Sequence, residues 1–178
     1  MKKLALLACC VLTFSASSAP AQSANPMTDS TKGVFGIVKG YLTKTAEQVS
    51  EENYAFKPTP EVRNLGAIIG HLADANFMFC SVASGAANPM KATSIEKTKT
   101  SKADLQKALA DSFAFCDAQL AAMTDAKGGT EIVDLFGMKH PRLGVLALNN
   151  AHNFEHYGNL VTYMRIKGMV PPSTQAGM

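Results

Sequence analysis

Three histidines are the residues of this 178-residue chain with the clearest capacity for chemistry. His152 and His156 lie four residues apart in the stretch HNFEH, and on a helix residues at this spacing project from one face. Two neutral imidazoles placed in this way can bind one divalent cation through adjacent coordination positions. His71 lies in a second apolar stretch, LGAIIGHLADAN, and is the candidate third ligand. We therefore predict that His71, His152 and His156 bind one divalent metal ion.

The alternative interpretation is that these histidines are ordinary core residues held by hydrogen bonds. Burying an imidazole without a partner costs on the order of a few kcal/mol, and a shared metal ion would remove that cost for all three. The stretch HNFEH also matches the H-x-x-E-H pattern of one class of zinc protease. We reject that class because no Asp or Glu follows Glu155 to supply its further ligand. The sequence also lacks the E-x-x-H pairs of di-iron bundles.

A three-histidine site leaves the fourth position of a tetrahedral ion open to water or to a substrate. Water bound to Zn²⁺ can ionise near neutral pH, which gives such a site the capacity for hydrolysis. Zn²⁺ is the predicted ion, with Ni²⁺ or Mn²⁺ as alternatives. Glu155 and Asp74 are each either an acceptor for an imidazole N–H or a solvated charge. His140, in MKHPR, is predicted to lie in a loop, either away from the site or at its mouth.

The elements that must position these histidines are helical, because apolar residues recur with a helical period almost throughout. The pattern predicts four helices, from about Thr28 to Ser50, Asn64 to Ser84, Ser101 to Gly128-Gly129, and Leu143 to Lys167. Four helices of about 20 residues predict an all-α fold, a four-helix bundle. The stretch between the second and third, Ala86 to Thr100, is too long for a tight turn. We expect it to cross the bundle and to make those two helices parallel.

Local signals refine these boundaries. Asn64 is a favourable N-cap for the second helix, and the segment SKAD, Ser101 to Asp104, resembles a capping box for the third. The connector TEIVDLFGMKHPR is predicted to contain a short strand-like or turn segment. The predicted apolar stripe of the first helix consists of Val34, Ile37, Val38, Tyr41, Leu42 and Ala46.

The first 21 residues have the pattern of a signal peptide. Lys2 and Lys3 precede the short apolar run LALLACCVLTFSA, and APA supplies small residues for cleavage before Gln22. A lipoprotein signal ending at Cys9 is the weaker alternative, because it leaves too short an apolar run. No later run approaches the roughly 18 apolar residues of a membrane span. We expect an exported protein, periplasmic or secreted, with one domain over residues 22–178.

Charge and cysteine content limit the function further. Removing Lys2 and Lys3 leaves 15 basic residues against 14 acidic ones, and this near balance argues against nucleic-acid binding. Cys80 and Cys116 are the cysteines outside the signal segment. In an oxidising compartment such a pair can form a disulfide, which we predict here; two buried free thiols are the alternative.

The sequence resembles the DinB-like, or YfiT-like, metalloenzyme family. The resemblance rests on YAFKPTPEVRNLGAIIGHLADAN and HNFEHYGNLVTYMRIKGMVPP and spans nearly the whole chain after residue 21. It implies a divalent metal site at His71, His152 and His156, and a bundle with a long crossover between helices two and three. Some family members are thiol-dependent transferases or isomerases that use bacillithiol, mycothiol or glutathione. Such thiols are mainly cytosolic, which separates those members from a chain predicted to be exported.

Two functions follow from these observations. The first is a metal-dependent hydrolase or transferase acting on a small substrate, which requires a pocket at the metal and an exchangeable fourth ligand. The second is a non-catalytic bundle in which a metal or a histidine cluster is structural or sensory, which requires a closed site. A third function, the transport of a lipid or another hydrophobic molecule, is supported only by Met- and Phe-rich helix faces. Such faces more often belong to an ordinary hydrophobic core. The oligomeric state, with a homodimer as one alternative, stays open at this point.

Overall fold

The computed structural model describes residues 23–175. The predicted signal peptide, residues 1–21, lies outside the described residues, and so does Gln22. The elements follow in chain order: α1 (Pro26–Gln48), a 3₁₀ turn (Glu51–Ala55), α2 (Leu65–Ser84), α3 (Ile95–Thr98), α4 (Lys102–Ala121), α5 (Asp125–Thr130), β1 (Ile132–Leu135), β2 (Met138–Pro141), α6 (Arg142–Ile166) and a 3₁₀ turn (Pro172–Thr174). The four long helices α1, α2, α4 and α6 form a bundle, which confirms the predicted all-α fold.

The second and third long helices, α2 and α4, run in parallel. Gly66 contacts Leu105 near the start of both helices, and Cys80 is joined to Cys116 toward the end of both. The chain must therefore return along the bundle between them, as the length of the connection predicted. The disulfide between Cys80 and Cys116, whose Cα atoms lie 5.3 Å apart, confirms the predicted pairing.

The last long helix, α6, runs antiparallel to α2, and buried asparagines fix their relative position. Asn153 of α6 donates to the side-chain oxygen of Asn76 of α2 at 2.9 Å and to the backbone oxygen of Asn149 at 2.9 Å. All three side chains are almost completely buried. A shift of one helix along the other would leave these amides unpaired in the core, at a cost of roughly 1–3 kcal/mol for each group.

The predicted starts of the second and third long helices are confirmed, whereas the predicted end of the third is wrong. The side chain of Asn64 accepts a hydrogen bond from Ala67 N, and that of Ser101 accepts one from Asp104 N. The third long helix ends at Ala121, and the Gly128-Gly129 pair lies inside the separate helix α5. A Cβ on Gly128 would stand 2.4 Å from Leu143 Cγ, so this glycine permits close packing of α5 on α6.

The predicted core face of α1 is correct in part. Val38, Leu42 and Ala46 are buried, but Phe35 is buried in place of the predicted Val34 and Ile37, which are exposed. The connector before α6 forms an antiparallel hairpin of β1 and β2, in agreement with the predicted short strand or turn.

The most apolar helix, α2, is a core helix of the bundle. The prediction that no run after the signal segment approaches a membrane span is wrong by length and composition, because among residues 23–175 this one helix passes that criterion. Most of its apolar stretch is buried within the bundle, which accounts for its composition.

The crossover packs closely on α2 at Gly70. A Cβ on Gly70 would stand 2.8 Å from Glu96 Cα and 3.1 Å from Glu96 N, both backbone atoms of α3. A side chain at this position would therefore push α3 away from α2. Gly70 precedes His71, so this contact sets the distance between the crossover and the histidine.

Replacing Gly70 by Ala should destabilise the protein, although Gly to Ala inside a helix normally stabilises it by about 0.5–1 kcal/mol. The displaced α3 backbone makes a net loss of about 1–3 kcal/mol the expected result. Gly36→Ala is the matched control, because Gly36 lies within α1 with no neighbouring atom within 4 Å of the added Cβ. Urea unfolding of both variants measures the difference. Equal stabilisation of the two variants would contradict the close approach.

Candidate metal centre

The structure brings the three predicted histidines together. His71 projects from α2, while His152 and His156 project from adjacent turns of α6. The Nε2 atoms of His71 and His152 lie 3.2 Å apart, and the ring centroids of His71 and His156 lie 4.8 Å apart. One nitrogen from each ring falls within 4.8 Å of those of the other two. The core-histidine alternative does not require this convergence of nitrogens, whereas a shared ion does.

The geometry and chemistry of the three nitrogens fit a divalent transition metal. Two nitrogens bound to one tetrahedral Zn²⁺ at about 2.0–2.1 Å are separated by roughly 3.3 Å, close to the distance between His71 and His152. Imidazole nitrogens suit zinc, nickel and related ions better than Ca²⁺ or Mg²⁺, which prefer oxygen. The three histidines could therefore hold a metal ion, and their role as its ligands remains a prediction.

Glu96 orients His71. The Nδ1 atom of His71 lies 3.3 Å from Glu96 Oε2, and the other carboxylate oxygen accepts from Arg63 Nε at 2.8 Å. With the proton of His71 on Nδ1, the imidazole donates to Glu96 and its Nε2 lone pair faces His152. Sequence reasoning did not find Glu96, because the residue lies in the crossover and no periodic pattern links it to His71.

Asp74 positions Glu96 instead of contacting a histidine. Its carboxylate accepts hydrogen bonds from Ser94 Oγ at 2.9 Å, Ile95 N at 2.9 Å and Glu96 N at 3.1 Å. These contacts satisfy the free N–H groups at the start of α3. The prediction that Asp74 either accepts from an imidazole or is solvated is therefore wrong, because α3 takes up its oxygens.

The two α6 histidines have different partners. His156 Nδ1 lies 3.3 Å from the side-chain amide of Asn159, one turn away on the same helix. A metal bound at Nε2 would leave the proton on Nδ1, and the amide would then present its oxygen to it. His152 Nδ1 is buried and has no hydrogen-bond partner among residues 23–175. A metal bound at His152 Nε2 would leave this Nδ1 atom without a partner among the described residues.

Glu155 and His140 have separate places. Glu155 is exposed and lines a cavity beside His156, and its charge partly opposes the lowering of the pKa that burial causes at His152 and His156. His140 lies in β2 opposite Val133 and lines neither of the cavities that adjoin the three-histidine cluster. The predicted loop position of His140 is therefore wrong, and His140 is not part of the three-histidine group.

The environment keeps the three imidazoles neutral. Burial lowers the pKa of His71, His152 and His156 in each case as the largest effect. Positive charge on Arg63 lowers each pKa further, and the neighbouring histidines act in the same direction. Glu96 opposes this shift at His71. Neutral imidazoles have the free lone pairs that metal binding requires.

Two open cavities adjoin the histidine cluster. One has a volume of about 570 Å³ and is lined by His156, Arg63, Glu155 and Asn159 among others. The other has a volume of about 470 Å³ and is lined by His71 and His152 together with Ala75, Phe79 and Phe136. The cluster is therefore accessible to a small molecule, as an exchangeable fourth ligand requires.

The fold is shared with solved structures. A DinB-like protein from Bacillus subtilis has a TM-score of 0.67 at 23% identity, covering 86% of this chain and all of that one. A DinB-like protein from Bacillus cereus has a TM-score of 0.68 at 20% identity, covering 83% and 97%. A mycothiol-dependent maleylpyruvate isomerase has a TM-score of 0.60 at 15% identity, covering 75% and 60%. At these identities the likeness concerns the fold.

The sequence comparison identifies the family. Among curated proteins no sequence matches this chain. The DinB superfamily matches residues 38–160, which include His71, His152 and His156 and most of the four-helix bundle. The chain therefore belongs to the DinB superfamily.

Proposed function

We propose that this DinB-superfamily protein binds one divalent transition metal through His71, His152 and His156 and acts on a small substrate as a hydrolase or transferase. Zn²⁺ is the preferred ion, with Ni²⁺ or Mn²⁺ as alternatives. The observation that carries the proposal is the convergence of three imidazole nitrogens from two helices beside two open cavities. Export to the periplasm or the medium is part of the proposal.

The open cavities favour an enzyme over a purely structural site. A structural zinc site is closed by four protein ligands, whereas a catalytic one keeps a position for water or substrate. Within residues 23–175 the cluster consists of three histidines, with no fourth His, Cys, Asp or Glu in the group. An ion held by three histidines supplies Lewis acidity and lowers the pKa of bound water.

The protein's own groups supply orientation and charge. Glu96 accepts a hydrogen bond from Nδ1 of His71, and Arg63 Nε donates a hydrogen bond to the other oxygen of Glu96. These two contacts fix the direction of the lone pair on His71 Nε2. In the cavity beside His156, Arg63 provides a positive charge and Glu155 a negative one. These two groups can bind and orient a polar part of a substrate.

The mycothiol-dependent isomerase shows that this fold can carry an enzyme. We do not propose that this chain uses mycothiol, because the similarity is one of fold and we propose that the chain is exported. The disulfide between Cys80 and Cys116 supports that location, since such bonds persist in oxidising compartments.

A structural or sensory metal site is the second candidate function. It is favoured by the position of the cluster, which joins α2 to α6 and, through Glu96, to the crossover. In that case removal of the metal would lower the melting temperature while the fourth coordination position would bind no added ligand.

Metal analysis of the chain of residues 22–178, purified without a polyhistidine tag, is the first test. We expect about one equivalent of a transition metal in the parent and little in His152→Ala, because two imidazoles bind a divalent ion weakly. His140→Ala is the matched control and should retain the metal, since His140 lies outside the cluster.

Glu96→Gln should weaken metal affinity by about ten- to hundredfold.

A folded parent that contains no metal and binds none of added Zn²⁺, Ni²⁺ or Mn²⁺ would contradict the proposal. Equal metal loss in His140→Ala and His152→Ala would contradict the assignment of the ligands.

Acidification should destabilise the metal-free protein. The pKa of each cluster histidine is lowered in the folded state, so below pH 6.5 the unfolded chain binds protons that the folded chain does not. The free energy of unfolding is therefore highest above pH 6.5 and decreases as the pH falls toward the lowered pKa values of the folded state. Urea unfolding between about pH 5 and pH 7 measures this slope. His152→Phe should flatten it, and an identical slope in that variant would contradict the assignment.

Expression of the full chain in an oxidising secretory system tests export. We expect the isolated protein to begin at Gln22 and to contain no titratable thiol after denaturation without reductant, because Cys80 and Cys116 are paired. N-terminal sequencing and thiol titration measure both. Retention of Met1 would contradict export, and two free thiols would contradict the disulfide.

A further inference from the structure

The cavity at His71 and His152 has an apolar wall. Ala75, Met78, Phe79 and Phe136 line it together with the two imidazoles and Asp74. The carboxylate of Asp74 accepts three hydrogen bonds from α3, so its oxygens are already used. Apart from the imidazoles, this cavity therefore presents apolar groups. It offers a ligand a place to remove an apolar group from water beside the proposed metal.

Phe136, at the edge of this cavity, occupies a turn position that a bulky residue rarely occupies. Leu135 pairs with Met138, so Phe136 and Gly137 form a two-residue hairpin loop. Both have positive φ, 55° and 80°, as a type I′ turn requires. Asn, Asp or Gly normally occupies the first position, because a bulky side chain is strained there. The side chain of Phe136 is 71% exposed, so little core packing offsets that strain.

The hairpin holds the Phe136 ring over the cavity. Leu135 is buried in the core, and Asp134 accepts a hydrogen bond from Gly137 N at 3.0 Å. The ring of Phe136 stands edge-on to that of Phe79, with centroids 6.4 Å apart. A third apolar ring can pack against both, since edge-to-face and offset contacts are the favourable arrangements of aromatic groups.

The two cavities at the cluster differ in character. The cavity at His156 contains the charged groups Arg63, Glu61, Glu96 and Glu155, whereas the cavity at His71 and His152 is apolar. A ligand bound at the open metal position can thus extend an apolar group to one side and polar groups to the other.

We propose that the ligand of this site is a small molecule whose metal-binding group carries a ring-sized apolar substituent, and that Phe136 determines this specificity by contacting the substituent. The proposal rests on the proposed metal site and adds the substrate class. It explains why a strained position bears an exposed phenylalanine: the ring contributes to ligand binding, not to folding.

Two hydroxamates with the same metal-binding group test the proposal on the Co²⁺-loaded chain of residues 22–178. Benzohydroxamate carries an aromatic ring, and acetohydroxamate carries a methyl group. Calorimetry gives both affinities, while the visible spectrum of cobalt reports binding of the hydroxamate group. We expect the parent to prefer benzohydroxamate. In Phe136→Asn this preference should fall by roughly two- to tenfold, the range of a lost aromatic contact.

Phe136→Asn also creates the favourable Asn-Gly turn, so its melting temperature should be no lower than that of the parent. Ile132→Asn is the matched control, because Ile132 is an exposed apolar residue of the same hairpin that does not line the cavity. This control should retain the preference for benzohydroxamate.

The other outcomes overturn either the ligand proposal alone or the metal proposal together with it. A chain that binds no cobalt overturns the metal proposal and this one with it. A chain that binds cobalt but shows equal affinities, or an unchanged preference in Phe136→Asn, overturns this proposal alone. A markedly lower melting temperature of Phe136→Asn would assign Phe136 to the fold and also overturn it.

Discussion

The close approach of α3 to α2 is the constraint on which the site depends. Gly70 leaves room for the backbone of Glu96, and Asp74 binds the N–H groups of Ile95 and Glu96 from the next turn of α2. Between these two contacts lies His71, whose Nδ1 faces the Glu96 carboxylate. One turn of α2 thus contains three residues with linked roles. His71 is the proposed metal ligand, Gly70 leaves space for Glu96, and Asp74 holds Glu96 in place.

Burial and charge act on the cluster in a way that suits an ion. Three half-buried or buried imidazoles resist protonation, yet their nitrogens face one another and cannot all be satisfied by mutual hydrogen bonds. His71 shows this most clearly, since its Nδ1 faces Glu96 while its Nε2 faces the Nε2 atom of His152. Without an ion the Nε2 atoms of His71 and His152 have only each other within hydrogen-bond distance, and a bound cation would give both lone pairs a partner.

Periodicity predicted the four long helices and placed the three histidines on apolar faces, because helical spacing determines which residues share a face; the short helices α3 and α5 were not predicted. The crossover followed from loop length, since Ala86 to Thr100 is longer than a turn requires. Glu96 was not predictable in this way, because its relation to His71 exists only after the crossover packs on Gly70. Gly128 was misinterpreted as part of a helix end for a similar reason, since its close packing against Leu143 exists only in the folded bundle.

The errors and omissions concern places where tertiary contacts override local preference. On α1 Phe35 is buried in the bundle, whereas the apolar Ile37 is exposed. At the hairpin, local preference favours Asn or Gly, yet the chain has Phe136. The first departure is accounted for by a buried contact with Phe113 at 5.8 Å between ring centroids. The second has no comparable burial: the Phe136 ring stands edge-on to Phe79 and lines the cavity beside the histidines, and the proposed contact with a ligand would account for it.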